Sequence, residues 1–293
     1  MRHRHEIRWT ETGRFRYRIK GGARVSLLTE LFMSWLAAIQ DPLNWASLAL
    51  SLILLLRLPL EGLQRTYKWF FLLLLVDSIR TAVLLALPLQ STRYGYTYML
   101  TAPIIWLAYF LVLRELWGIV LSDHKGIESL ALQVMYIGLA VAVVLSVILS
   151  YLELTGPGAE RKYPVLVGFF VFHRVVVAIL LLMVLLLGGF LMWFPVQLRR
   201  NVVYYAIGYV VYFLSKSVLL LVRNVLEKDV TIMLSAANLL IGNAVLLFWI
   251  VRLNARGQES SISVGHRWNR EEADAAVEQL KAINQALVRA GRQ

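Results

Sequence analysis

Apolar residues in this chain come in long blocks separated by short polar joints, and the blocks predict its architecture. The clearest is residues 165–193, VLVGFFVFHRVVVAILLLMVLLLGGFLMW, apolar except for His173, Arg174 and the small glycines. Further blocks cover residues 43–56, 69–87, 96–121, 130–152, 202–222 and 231–251. Most approach the roughly 20 residues that cross a hydrocarbon layer as a helix. The pattern predicts an all-α, polytopic integral membrane protein with a bundle of about seven transmembrane helices. Joints such as Thr155-Gly156-Pro157-Gly158 carry turn chemistry, and none is long enough to hold a second domain.

Before the first block, residues 25–39 are apolar but too short to span. They predict an interfacial helix that Asp41-Pro42 ends or bends. After the last block the chain turns polar, and residues 269–290 predict a short C-terminal amphipathic helix. Asn269 fits its N-cap, with Glu272 in capping-box position. Ala273, Ala276, Leu280, Ile283, Leu287 and Ala290 recur at spacings of three and four, a heptad seam. Such a seam suits a helix lying on the membrane or the bundle, a homodimer contact, or a docking face for a partner protein. The chain therefore divides into a basic tail with an interfacial helix (1–41), the bundle (42–252), and a linker with the amphipathic helix (253–293).

Composition narrows this further. Of the 293 residues, 59% are hydrophobic and 16% charged, too apolar for an ordinary soluble domain. The net charge of +12 resides in tails and short loops, which points to anionic lipid headgroups and not to nucleic acid. The absence of cysteine excludes disulfides, a thiolate nucleophile and Cys-ligated metal. No short apolar core with a small-residue cleavage site marks a secretory signal, so targeting falls to the first span. Basic residues divide evenly between the two sides of the bundle, so the positive-inside rule gives no direction. If translation starts at Met33 and the Arg-rich leader is discounted, the C-terminus comes out cytoplasmic, in a cell (inner) membrane. Trp69, Trp117, Trp193 and Trp249 then predict one interfacial belt, and Tyr94, Tyr96, Tyr151 and Tyr163 the other.

Ionisable residues inside apolar blocks are costly in lipid and should face a protein or water-filled interior. Here they are Asp77, Arg80, Arg114, Glu115, His173, Arg174 and Lys216. Counting 1.5 Å per residue from the block ends places Arg80, His173 and Lys216 roughly 9 to 14 Å below one membrane face. Asp77 lies one turn deeper than Arg80 on the same helical face, and Arg174 adjoins His173. Several cations around one carboxylate leave surplus positive charge, which predicts a small-anion or carboxylate site formed by Asp77, Arg80, His173, Arg174 and Lys216. Arg174 is the group hardest to place without a partner, being too deep to reach headgroups. Tyr209, Tyr212 and Asn238 would add hydrogen-bond donors. The bland alternative is an intrahelical Asp77–Arg80 pair, snorkelling cations, and a histidine bonded to a neighbouring helix.

No HExxH, GxSxG or P-loop occurs, and no metal-ligand spacing, so no catalytic residue, metal or cofactor is expected. The last block has no lysine for a retinal Schiff base, which argues against a rhodopsin. In helix count and general shape alone, the expected bundle resembles bacterial seven-span sensory modules; no motif carries the likeness. The expectation is a receptor- or sensor-like bundle that reads a small anion and signals through its C-terminal helix. A small-anion transporter or channel subunit, or a structural subunit of a larger membrane complex, is the alternative.

Overall fold

The computed structural model describes residues 23–88, 91–122, 124–155, 164–193, 196–225, 231–264 and 270–290. It is almost entirely helical: α1 (Ala23–Leu60), α2 (Lys68–Leu85), α3 (Thr92–Val120), α4 (Lys125–Thr155) and α5 (Pro164–Trp193) are followed by strand β1 (Val196–Arg199). Then come α6 (Arg200–Val225), α7 (Thr231–Arg252), the single turn α8 (Ala255–Glu259), β2 (Ser261–Val264) and α9 (Arg270–Ala290). Tyr163 and the capping Asn269 lie outside the described residues.

The protein is thus an all-α membrane bundle, with a helix count that differs from expectation. Among the described residues six helices, not seven, are long and apolar enough to cross a membrane: Ala38–Leu60, Thr92–Val120, Lys125–Leu145, Phe172–Trp193, Arg200–Leu219 and Met233–Arg252. The missing one is α2, which carries Lys68, Asp77 and Arg80 within 18 residues. Three charged side chains in so short a helix offset its leucine run, and α2 packs against α1 and α3.

The expected break at Asp41-Pro42 is also absent. Helix α1 runs unbroken through Pro42, so the boundary between the tail and the bundle falls inside a helix. Proline removes one backbone donor and bends a helix, but it does not oblige the helix to end. The expected linker also holds regular structure, in α8 and β2. Strand β2 pairs antiparallel with β1, from Val196 opposite Val264 to Arg199 opposite Ser261. Asn201, fully buried, donates to the Asn254 carbonyl (2.7 Å), while the Asn254 side chain caps α8 by accepting from Gly257 N (2.7 Å).

Helix α3 is the axis of the packing. Ile105, Trp106, Tyr109, Val112, Leu113 and Leu116 on it are buried, and α2, α4, α5 and α6 pack around it. The outer faces carry exposed Ile53, Leu56, Ile137, Val144, Leu182 and Leu247, among others. A large soluble protein would not leave so much apolar surface to water, and contact with the lipid bilayer accounts for it. Tyr96, Tyr151 and Trp193 are exposed, as residues of an interfacial belt should be. Trp117 and Trp249 are instead buried in the core, and Trp69 is half-buried. Helical position alone did not show which side of each helix those indoles take.

Helix α9 packs along the start of α4. Leu280 of the seam is buried there, while Ile283 stays exposed. The Asn284 side chain accepts from Gly126 N (2.7 Å) and Ile127 N (3.4 Å), donors that the first turn of α4 cannot satisfy itself. A Cβ on Gly126 would stand 2.5 Å from the Asn284 carbonyl oxygen and 3.0 Å from Leu287 Cβ. Gly126→Ala should therefore loosen α9 at a cost of about 1–3 kcal/mol. Hydrogen exchange across 270–290 should accelerate while α3 and α7 keep their protection; unchanged exchange in α9 would contradict this docking.

Candidate functional site

The middle of the bundle holds two adjacent chambers. The larger has a volume of about 410 Å³ and is bordered by Gln40 and Asn44 of α1, Asp77 and Arg80 of α2, and Lys216 of α6. Tyr94, Tyr98, Trp106 and Tyr109 of α3, His173 of α5 and Asn238 of α7 complete its polar and aromatic wall. The smaller, about 120 Å³, lies beside it and is mostly apolar, with Phe70, Leu73, Leu74, Val245, Leu246 and Trp249 in its wall. Asp77, Tyr109, Tyr212, Lys216, Asn238 and Leu239 border both chambers.

Of the residues expected to form a site, Asp77, Arg80, His173, Lys216, Tyr212 and Asn238 line the larger chamber, and Tyr209 lines the smaller. Arg174 lines neither. Adjacent residues on a helix point about 100° apart, so one that turns His173 into the chamber turns Arg174 away from it.

Each charged group has its own setting. Arg80 is the most occupied: its Nε donates to Thr101 Oγ1 (3.0 Å), one terminal nitrogen lies 3.8 Å from Asp77 Oδ1, and its guanidinium covers the Tyr98 ring at 4.7 Å. Thr101 is in turn fixed because its hydroxyl donates to the Thr97 carbonyl (2.7 Å). The Asp77 side chain keeps 35% of its surface open, consistent with its place on the chamber wall. The Lys216 ammonium stands over the Tyr212 ring at 4.3 Å and the Tyr109 ring at 5.6 Å, and those two tyrosine hydroxyls hydrogen-bond each other. Among the described residues Lys216 makes no ion pair within 4 Å; the two ring faces and the more distant carboxylate of Asp77 act on its charge.

His173 is held by aromatic neighbours. Trp106 Nε1 donates to its Nδ1 (2.9 Å), and the imidazole stacks on Trp106 and Phe169. Nδ1 is therefore unprotonated in this geometry, and the proton of a neutral ring sits on Nε2.

Below the smaller chamber the interior closes. Tyr67, Phe70, Tyr205, Tyr209 and Trp249 meet edge to face or tilted, with centroids 4.9 to 5.1 Å apart for Tyr67–Tyr205, Phe70–Tyr205, Phe70–Trp249 and Tyr209–Trp249. Tyr67, in the joint before α2, donates to Gln258 Oε1 (3.2 Å), and burial pushes its hydroxyl pKa up. Glu115, one of the ionisable groups in the opposite half, accepts from Trp69 N (3.1 Å) and Phe70 N (3.4 Å). It caps α2, where Tyr67 offers no side-chain cap. Arg114 beside it is exposed.

Tyr98, Trp106 and Tyr109, which line the larger chamber, and Thr101, which holds Arg80, were not singled out from the sequence. The signal was present: Tyr94, Tyr98, Thr101, Ile105 and Tyr109 recur at three- and four-residue spacing on α3. Asn243, by contrast, bonds between helices as expected of an intramembrane asparagine, its Nδ2 donating to the Leu43 carbonyl (3.0 Å). Among the described residues no group of His, Asp and Glu side chains is arranged to hold a metal ion. No protein-family model, curated protein or solved structure matches the chain.

Trp106→Phe keeps a stacked ring and removes only the donor to His173. It should cost about 1 kcal/mol of stability in detergent, since one hydrogen bond is lost. The ¹⁵N spectrum of His173, assigned by difference with His173→Gln, should change from one Nε2–H tautomer to a mixture. An unchanged spectrum would show that the indole does not set the tautomer.

Proposed function

We propose that this protein is a receptor-like membrane bundle that binds a small carboxylate or similar anion in the larger chamber and conveys occupancy to α9. The observation that carries the reading is Lys216: an ammonium with no ion pair among the described residues, on the wall of a 410 Å³ chamber. Arg80 and Lys216 face one carboxylate, Asp77, and Arg80 stands closest to it. An anion entering the chamber would balance the remaining charge, and the tyrosine hydroxyls and the Asn238 amide can share its hydrogen bonds.

The aromatic closure beneath the smaller chamber favours binding over passage, since a conduction path must continue through the bundle. A relay to α9 is available: α5 carries His173 and packs on α4, and α9 holds the first turn of α4 through Asn284. In this reading the protein sits in a cell (inner) membrane with α9 on the cytoplasmic side, the direction that the positive-inside rule gives once the Arg-rich leader is discounted. The exposed Ile283 side of α9 is then free for a second copy or a partner protein, as Leu280 is already used against α4. The alternative, a small-anion transporter, is favoured by one observation. The chambers together follow α2 from Arg80 to Phe70, roughly 15 Å at 1.5 Å per residue.

Thermal unfolding of the purified protein in detergent tests the reading. A small carboxylate at about 100 times its Kd should stabilise by about 2.7 kcal/mol, a rise of several degrees. Lys216→Met should abolish the rise and Arg174→Lys should keep it. If no carboxylate or phosphate stabilises the wild-type protein, the site does not exist. Saturable anion uptake into proteoliposomes that Lys216→Met removes would establish transport instead.

A further inference from the structure

We infer that the ligand is a carboxylate with a short branched apolar tail, its head on Lys216 and its tail in the smaller chamber. This rests on the carboxylate-binding reading above and specifies what that site selects.

Lys216 borders both chambers, so an anionic head held by its ammonium stands beside each of them, with Asp77 and Asn238. The rest of the ligand can lie in either. In the larger chamber it meets Arg80, Asn44 and Gln40, groups suited to water and polar substituents. In the smaller chamber it meets Leu73, Leu74, Val245, Leu246, Phe70 and Trp249, with Ser47 and Tyr209 as the further polar groups. An apolar substituent is driven into the second space, where each carbon removed from water strengthens binding about threefold to fourfold. A bare inorganic anion leaves that space unused.

The size of the tail follows from the volume. At about 120 Å³ the smaller chamber lies below the roughly 150 Å³ of an apolar cavity known to accept benzene. A branched group of about four carbons is the expected limit. That volume denies room to a long acyl chain, which sets the proposed ligand apart from a membrane fatty acid.

Gly242 gives the means to test this without touching the head site. It lies in the wall of the smaller chamber and not of the larger, and a Cβ built on it meets no atom within 4 Å. Gly242→Ala and Gly242→Leu should therefore project into open space and fill the chamber progressively.

The experiment measures binding of acetate, 4-methylpentanoate and octanoate to the full-length protein in detergent, by displacement of a radiolabelled carboxylate. The expected result is that 4-methylpentanoate binds at least about 30-fold more tightly than acetate, from the per-carbon gain above. Octanoate should bind no better than 4-methylpentanoate. Gly242→Leu should bring 4-methylpentanoate to within about threefold of acetate and leave acetate unchanged, with Gly242→Ala intermediate; the per-carbon factor sets that scale. Lys216→Met should weaken acetate and 4-methylpentanoate alike.

Equal affinities for acetate and 4-methylpentanoate would overturn this inference while leaving the anion site standing. So would a Gly242→Leu protein that retains the wild-type preference. Tighter binding of octanoate would assign the site to a longer acyl chain and reject the short tail. Failure of every carboxylate to bind would overturn both this inference and the reading it rests on.

Discussion

Charge cannot be left facing hydrocarbon, and in this protein that constraint decides which way the helices turn. Helix α2 shows it most directly. Its leucines suit lipid, but Asp77 and Arg80 must turn inwards, and they set one wall of the interior. Lys216 on α6 answers to the same constraint from the opposite side, and Tyr109 and Tyr212 supply the ring faces it stands over. The larger chamber is the space that these groups border. The chamber thus follows from the cost of buried charge, with α3 as the scaffold that spaces its walls.

Much of this was legible in the sequence. Membrane character followed from the apolar blocks, and depth counting grouped Asp77, Arg80, His173 and Lys216, which do line one chamber. What failed had angular or tertiary causes. Arg174 has the right depth and the wrong azimuth, which a count along the helix axis does not resolve. Trp249 resembled an interfacial residue by its position near a span end, yet Gly208 on α6 has no side chain and lets the indole lie against it. The aromatic stripe of α3 passed unread because tyrosines near a span end also suit a lipid interface. Six apolar spans replace seven because local hydropathy weighs leucine runs more heavily than the charges within them.

The end of the bundle away from Arg80 is tied together by polar contacts that no motif announces. Arg57 donates to the Ile250 carbonyl and approaches Glu61 (3.4 Å), and Glu61 accepts from Ala255 N (2.8 Å). Asn201 joins α6 to the segment around α8, and the β1–β2 ribbon continues through Arg200 N donating to the Ser260 carbonyl (2.9 Å). Apart from Arg57–Glu61, these contacts pair residues more than 50 positions apart. They satisfy helix ends that would otherwise need water, and they brace this end.

The two ends of the bundle therefore differ. Tyr67, Phe70, Tyr205, Tyr209 and Trp249 fill the interior at the braced end, and the larger chamber lies towards Arg80. In the receptor reading proposed above, a solute would reach Lys216 from the Arg80 side, and only a change in composition on that side of the membrane would be felt. The polypeptide would then be a one-way observer, whose field of view is set by five aromatic side chains.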